Sequence, residues 1–103
     1  MDVSTNVNEK VFRFISLIKK DFHLHAVYLF GSTVKGKSNP LSDIDLAIVS
    51  QDFTGDSFDD TKLLIPYILN IDSGIEVHPF RPEDFTKENP FVQEILSTGL
   101  RII

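Results

Sequence analysis

The chain has 103 residues, an apolar share of 42% and nine phenylalanines, which fits one ordinary globular domain over residues 1–103 and excludes intrinsic disorder and collagen-like repeats. It contains no cysteine, so disulfide staples, thiolate zinc sites and a cysteine nucleophile are excluded, and a reducing, cytoplasmic setting is expected. Ten basic against fifteen acidic residues give a formal charge of −5, which disfavours charge-driven binding to a long nucleic acid but not a small anionic ligand bridged by metal.

Residues 7–22 place Val7, Val11, Phe14, Ile15, Ile18 and Phe22 at three- and four-residue spacing, which predicts an amphipathic helix. Asn6 and Glu9 approximate a capping box, and Lys19-Lys20 suit a helix C-terminus. The run His25-Ala26-Val27-Tyr28-Leu29-Phe30 reads as a strand that stops at Gly31-Ser32, after which Thr33 to Pro40 is a polar, basic loop. A second strand is expected over 43–49. A second helix follows over roughly 58–69, capped by Asp56 or Ser57, with Pro66 inside it expected to kink or split it. Gly74 opens a third strand, Ile75 to Phe80. The last helix has Asn89 as cap, Pro90 at its first position, Phe91, Val92, Ile95 and Leu96 as its apolar face, and Gly99 as stop. The tail from Leu100 suits a short edge strand. This order predicts an α/β (α+β) domain, a small sheet of three to four strands covered by helices. No apolar run approaches the roughly 18 residues of a membrane span. The start, Met1 to Asn6, lacks the pattern of a signal peptide.

The chemistry concentrates in Gly31-Ser32, ten residues, then Asp43-Ile44-Asp45-Leu46. Strand alternation sends Ile44, Leu46 and Ile48 to one face and the two aspartates to the other. Paired carboxylates on a rigid strand repel unless a cation lies between them, and Mg²⁺ typically takes one or two carboxylates plus water and substrate phosphate. Taken alone, Asp-x-Asp is more readily the polar face of a half-exposed strand. The glycine after a buried strand lets an anion approach main-chain N–H groups, and a helical turn starting at Ser32 would aim its free N–H groups at the same place. Lys35 and Lys37 are the only lysines or arginines between residues 21 and 61. The joint spacing arises by chance in on the order of one chain in a thousand.

The run Tyr28-Leu29-Phe30-Gly31-Ser32, with Gly36 and then Ser42-Asp43-Ile44-Asp45-Leu46, resembles the signature of the DNA polymerase β nucleotidyltransferase superfamily. Nearly the whole chain, as far as Asn89-Pro90-Phe91, Glu94-Ile95 and Gly99, is similar to its smallest members, the minimal nucleotidyltransferases. The resemblance implies the nucleotidyltransferase fold. It implies that Gly31 and Ser32, with Lys35 beside them, engage the triphosphate, and that Asp43 and Asp45 bind two Mg²⁺ ions. Lys35 stands where many relatives carry arginine, which keeps the charge but gives up bidentate contact with phosphate. The family's third carboxylate falls on Glu76, the one acid of the third strand, in place of a frequent aspartate. Glu76 would complete the catalytic and metal-binding set and accept the proton of the acceptor hydroxyl.

His78 shares the face of Glu76 and is a lesser candidate for touching substrate. His23 and His25 are expected at the surface of a helix–strand join. Asp52, Asp56, Asp59 and Asp60 are expected as turn and helix-cap residues, and Phe53, Phe58 or Phe85 as an exposed partner patch. The resemblance implies transfer of a nucleoside monophosphate, AMP from ATP, to a hydroxyl. The acceptor implied by many small relatives is a tyrosine of a HEPN-domain toxin, with this chain as the antitoxin. Two alternatives stand beside it: a module that neutralises its partner by contact alone, and an adenylyltransferase of small molecules such as aminoglycosides. Self-association is compatible with the sequence, and no membrane partner is expected.

Overall fold

The computed structural model describes residues 5–31, 44–72 and 74–103. The chain runs α1 (Thr5–Ile18), β1 (Leu24–Phe30), β2 (Ile44–Ser50), α2 (Ser57–Ile71), β3 (Ile75–Phe80), a short 3₁₀ turn (Pro82–Asp84), α3 (Pro90–Thr98) and β4 (Leu100–Arg101). The four strands form one mixed sheet in the order β3-β2-β1-β4. β1 lies antiparallel to β2 and to β4, while β2 and β3 are parallel and joined through α2. Parallel neighbours need such a crossover, and the apolar spacing of residues 64–71 supplies it with a helix that has one face to bury.

Alternation along the strands gives the sheet two apolar faces. One carries Val27 and Leu29, Ile44, Leu46 and Ile48, and Ile75 and Val77, against Val11, Phe14, Ile15 and Ile18 of α1 and Leu64 and Ile68 of α2. On the other strand positions Ala26, Ala47 and Val49 are buried, as are Val92 and Ile95 of α3. A sheet covered on both sides needs apolar residues at nearly every position, and β2 is buried throughout except at Asp45.

Three local expectations change. α1 begins at Thr5 and ends at Ile18, so Asn6 falls inside its first turn rather than at its cap. Residues 19–22 close with tighter bonds such as Asp21 N–H to Ile18 C=O at 3.1 Å. Pro66 does not split α2. It is solvent-exposed, so the carbonyl its missing N–H would have bonded faces water, while buried Leu64 and Ile68 anchor the helix on either side. Phe53 is buried, packing on Phe22 at 5.6 Å, and so is no part of an exposed patch. Phe85 is half-buried between Tyr28 and Phe80, whereas Phe58 is exposed.

Asp56 caps α2 through Phe58 N–H and Asp59 N–H, and Asn89 caps α3 through Phe91 N–H. Asp60 is more than a first-turn acid. It is 1% exposed and accepts hydrogen bonds from Thr54 N–H, Thr54 Oγ and Gly55 N–H at 2.9–3.0 Å. It therefore ties the β2–α2 loop to the helix it precedes.

Candidate active site

Register decides what meets at the open end of the sheet. Phe30 of β1 pairs with Asp45 of β2, Asp45 pairs with Glu76 of β3, and Ala47 pairs with His78. Directly opposed residues share a face, so Phe30, Asp45 and Glu76 form one row across three strands, and His78 lies one step along on the same side. The buried Ala47 beside His78 occupies little space, and the imidazole leans back towards Asp45. Its Nε2 is 3.4 Å from Asp45 Oδ1. Ligand atoms of Asp45, Glu76 and His78 all lie within 4.8 Å of one another. Glu76 is exposed and the other two are half-buried.

The aromatic surroundings follow from the caps. Asn89 and Pro90 fix the start of α3, which puts Phe91 in its first turn. The His78 ring then lies 5.1 Å from the ring of Phe30 and 5.5 Å from that of Phe91. Phe80 joins the same cluster, 6.2 Å from Phe91. Phe91 was expected on the buried stripe of α3, but is 39% exposed because it covers the site rather than the core.

Gly31 ends β1 with φ +85°, a left-handed conformation that side chains rarely tolerate. A Cβ there would stand 2.5 Å from Oδ2 of Asp45. The glycine therefore lets the chain turn tightly against the carboxylate.

A cleft of about 700 Å³ runs along the free edge of β3, with Ser57 and Thr61 of α2 on one side, Phe91 of α3 on the other, and Glu76 and His78 in its wall. That volume suits a small-molecule ligand or a substrate side chain. Two carboxylates beside such a cleft offer hard oxygen donors, a chemistry that fits Mg²⁺. Asp43, Ser32 and Lys35 lie outside the described residues.

Of the residues singled out from sequence, the structure brings Gly31, Asp45, Glu76 and His78 together. Phe30, Phe80 and Phe91 were not anticipated as site residues. Phe80 falls on the face of Glu76 and His78 by the period-two alternation of β3, but the angle at which α3 crosses has no signal in the sequence. His23 and His25 are exposed and distant from the trio in chain position; His23 contacts Asp52 instead, through its N–H at 2.6 Å and its ring at 3.1 Å. Those contacts, chiefly the backbone one, hold the Asp52 carboxyl below the usual range.

A small mixed sheet thus carries opposed carboxylates on adjacent strands, beside a glycine turn. Residues 13–103 match the family model for polymerase beta nucleotidyltransferases, and the chain belongs to that family. No curated protein matches it. Among solved structures, a candidate nucleotidyltransferase from Sulfolobus solfataricus shares 17% identity, with 98% of this chain and 89% of that chain covered and a TM-score of 0.62. A chain from a toxin–antitoxin structure with AMP-PNP shares 20% identity, with 97% and 73% covered and a TM-score of 0.67. At these identities the likeness is one of fold.

Proposed function

We propose that this chain transfers a nucleoside monophosphate, AMP from ATP, to a hydroxyl of a partner protein, and that the acceptor is a tyrosine of a HEPN-domain toxin for which it serves as the antitoxin. The observation that carries the proposal is the opposed pair Asp45 and Glu76, in register on adjacent strands, with Glu76 in the wall of the cleft. Asp45 and Glu76, together with Asp43, are the residues to hold Mg²⁺. When bound, the two ions neutralise the triphosphate and lower the pKa of the attacking hydroxyl.

The residues of the chain then have separate tasks. Gly31, with Ser32 and Lys35, cradles the triphosphate at the end of β1. Glu76, the most exposed of the three clustered donors, takes the proton from the acceptor hydroxyl as its oxygen bonds to the α-phosphorus. The bond from that phosphorus to the bridging oxygen breaks, and pyrophosphate leaves. Phe91 and Phe30 pack on the His78 ring beside the carboxylates, and the lower local polarity strengthens electrostatic interactions on that side.

A protein acceptor is supported by exposed apolar residues on the two helices of the far face, Phe12, Leu63 and Leu69 among them. The fold-level likeness to a chain of a toxin–antitoxin structure with AMP-PNP supports both a protein partner and an adenine nucleotide. The same exposed residues favour a second reading, neutralisation by contact alone. Incubation with Mg²⁺, the product of the neighbouring gene and ATP labelled at either phosphate separates the two. The α-label moves to the partner, the γ-label does not, and Asp45→Asn and Glu76→Gln abolish the transfer. If both variants still neutralise the partner and no α-label moves with the wild type, contact alone is the function.

A further inference from the structure

We infer that His78 is a metal ligand, so that the site at Asp45 and Glu76 prefers a first-row transition-metal dication, such as Mn²⁺, over Mg²⁺. The inference rests on the proposed function in one respect, that Asp45 and Glu76 hold the metal.

Distance is the first argument. Nε2 of His78 and Oδ1 of Asp45 are 3.4 Å apart, beyond the roughly 2.7–3.2 Å of an effective nitrogen–oxygen hydrogen bond. Metal–ligand distances of about 2.0–2.2 Å put neighbouring ligand atoms roughly 3.0–3.5 Å apart in octahedral or tetrahedral geometry. The pair is thus spaced as two ligands of one ion. Glu76 lies within 4.8 Å of both, and its exposed, three-torsion arm covers the remaining ångström or so.

Rigidity is the second. The imidazole is flanked by Phe30 and Phe91, whose ring centroids lie 5.1 and 5.5 Å away, so its orientation is set before any ion arrives. A purely solvated strand histidine would have no such support. Donor chemistry is the third. Mg²⁺ takes oxygen and holds its waters tightly, whereas imidazole nitrogen favours the transition metals in the order of their general affinities. Two carboxylates and one imidazole are a mixed set that shifts the balance away from Mg²⁺.

The test uses the nucleotide-free protein and Mn²⁺ as probe. Pulsed electron paramagnetic resonance on the Mn²⁺-loaded wild type is expected to show a directly coordinated nitrogen, a readout that needs no variant to fold. His78→Phe keeps a ring between Phe30 and Phe91 but removes the donor. It is expected to lose the nitrogen signal and to bind Mn²⁺ about tenfold or more weakly, with Mg²⁺ affinity changed by less than about threefold. The absence of a coordinated nitrogen in the wild type overturns the inference, as does an equal loss for both ions in His78→Phe. If Asp45→Asn and Glu76→Gln abolish Mn²⁺ binding while His78→Phe leaves it intact, the inference fails alone and the carboxylate site stands. If neither carboxylate variant weakens Mn²⁺ binding, the site behind the proposed function fails, and the inference falls with it.

Discussion

Replacing Gly31 with alanine tests whether the end of β1 is shaped around Asp45. Three contributions set the size of the effect. The φ of +85° costs a non-glycine residue roughly 1–2 kcal/mol. The new Cβ, 2.5 Å from Asp45 Oδ2, forces that side chain off its rotamer at about 0.5–1.5 kcal/mol. Lower entropy of the unfolded chain gives back about 0.4–1 kcal/mol. The net loss is about 0.5–3 kcal/mol, centred near 2 kcal/mol, which at that centre is a fall in Tm of roughly 8–16 °C for a domain of this size. Denaturant unfolding measures it, and repeating the substitution in an Asp45→Ala background separates the contact from the backbone. The contact part vanishes there, so the two substitutions couple by about 0.5–1.5 kcal/mol. A Gly31→Ala protein within about 0.5 kcal/mol of wild type, or an equal cost in both backgrounds, would refute the reasoning.

Three further outcomes are expected. Asp60→Ala strips the β2–α2 loop of its acceptor for three hydrogen bonds and costs about 2 kcal/mol, since Thr54 and Gly55 are exposed enough for water to replace part of it; urea unfolding measures this, and a loss under about 0.5 kcal/mol contradicts it. Asn89→Ala removes the cap that sets the first turn of α3, costing about 0.5–2 kcal/mol and loosening Phe91 from His78, which ring-current shifts of the His78 protons report. Lys10, with Gly74 N–H behind it, holds the Asp72 carboxyl below the usual carboxylate range. A folded pKa lower than the unfolded one gives stability that is present above about pH 4 and lost as pH falls towards the folded value. Lys10→Met therefore flattens the fall in stability below about pH 4, and an unchanged pH profile argues against the pair.

The architecture was largely legible because its signals are local. Period-two alternation in residues 44–49 and 75–80 placed Ile44, Leu46, Ile75 and Val77 inside and Asp45, Glu76 and His78 on the opposite side, and the Asn89-Pro90 and Gly99 punctuation bounded α3. Pro66 misled because propensity speaks for a helix alone, while tertiary packing at Leu64 and Ile68 holds α2 together. The site was readable as residue types but not as an assembly. Which position of β3 lies opposite Asp45 is a matter of register, and the sequence carries no mark of it. Nor does it show that Ala47 leaves room for the His78 ring, or that Phe91 turns outward onto that ring. Asp60 looked like any first-turn acid, because its burial depends on how the loop from Phe53 folds back over it.

Intact-protein mass spectrometry of the partner gene product, purified after incubation with this chain, ATP and a divalent metal, tests the central claim most directly. The account predicts a gain of one AMP, located by fragmentation on a tyrosine, with wild type and not with Asp45→Asn. An unmodified partner after incubation with active wild-type protein, or the same gain with Asp45→Asn, would contradict it.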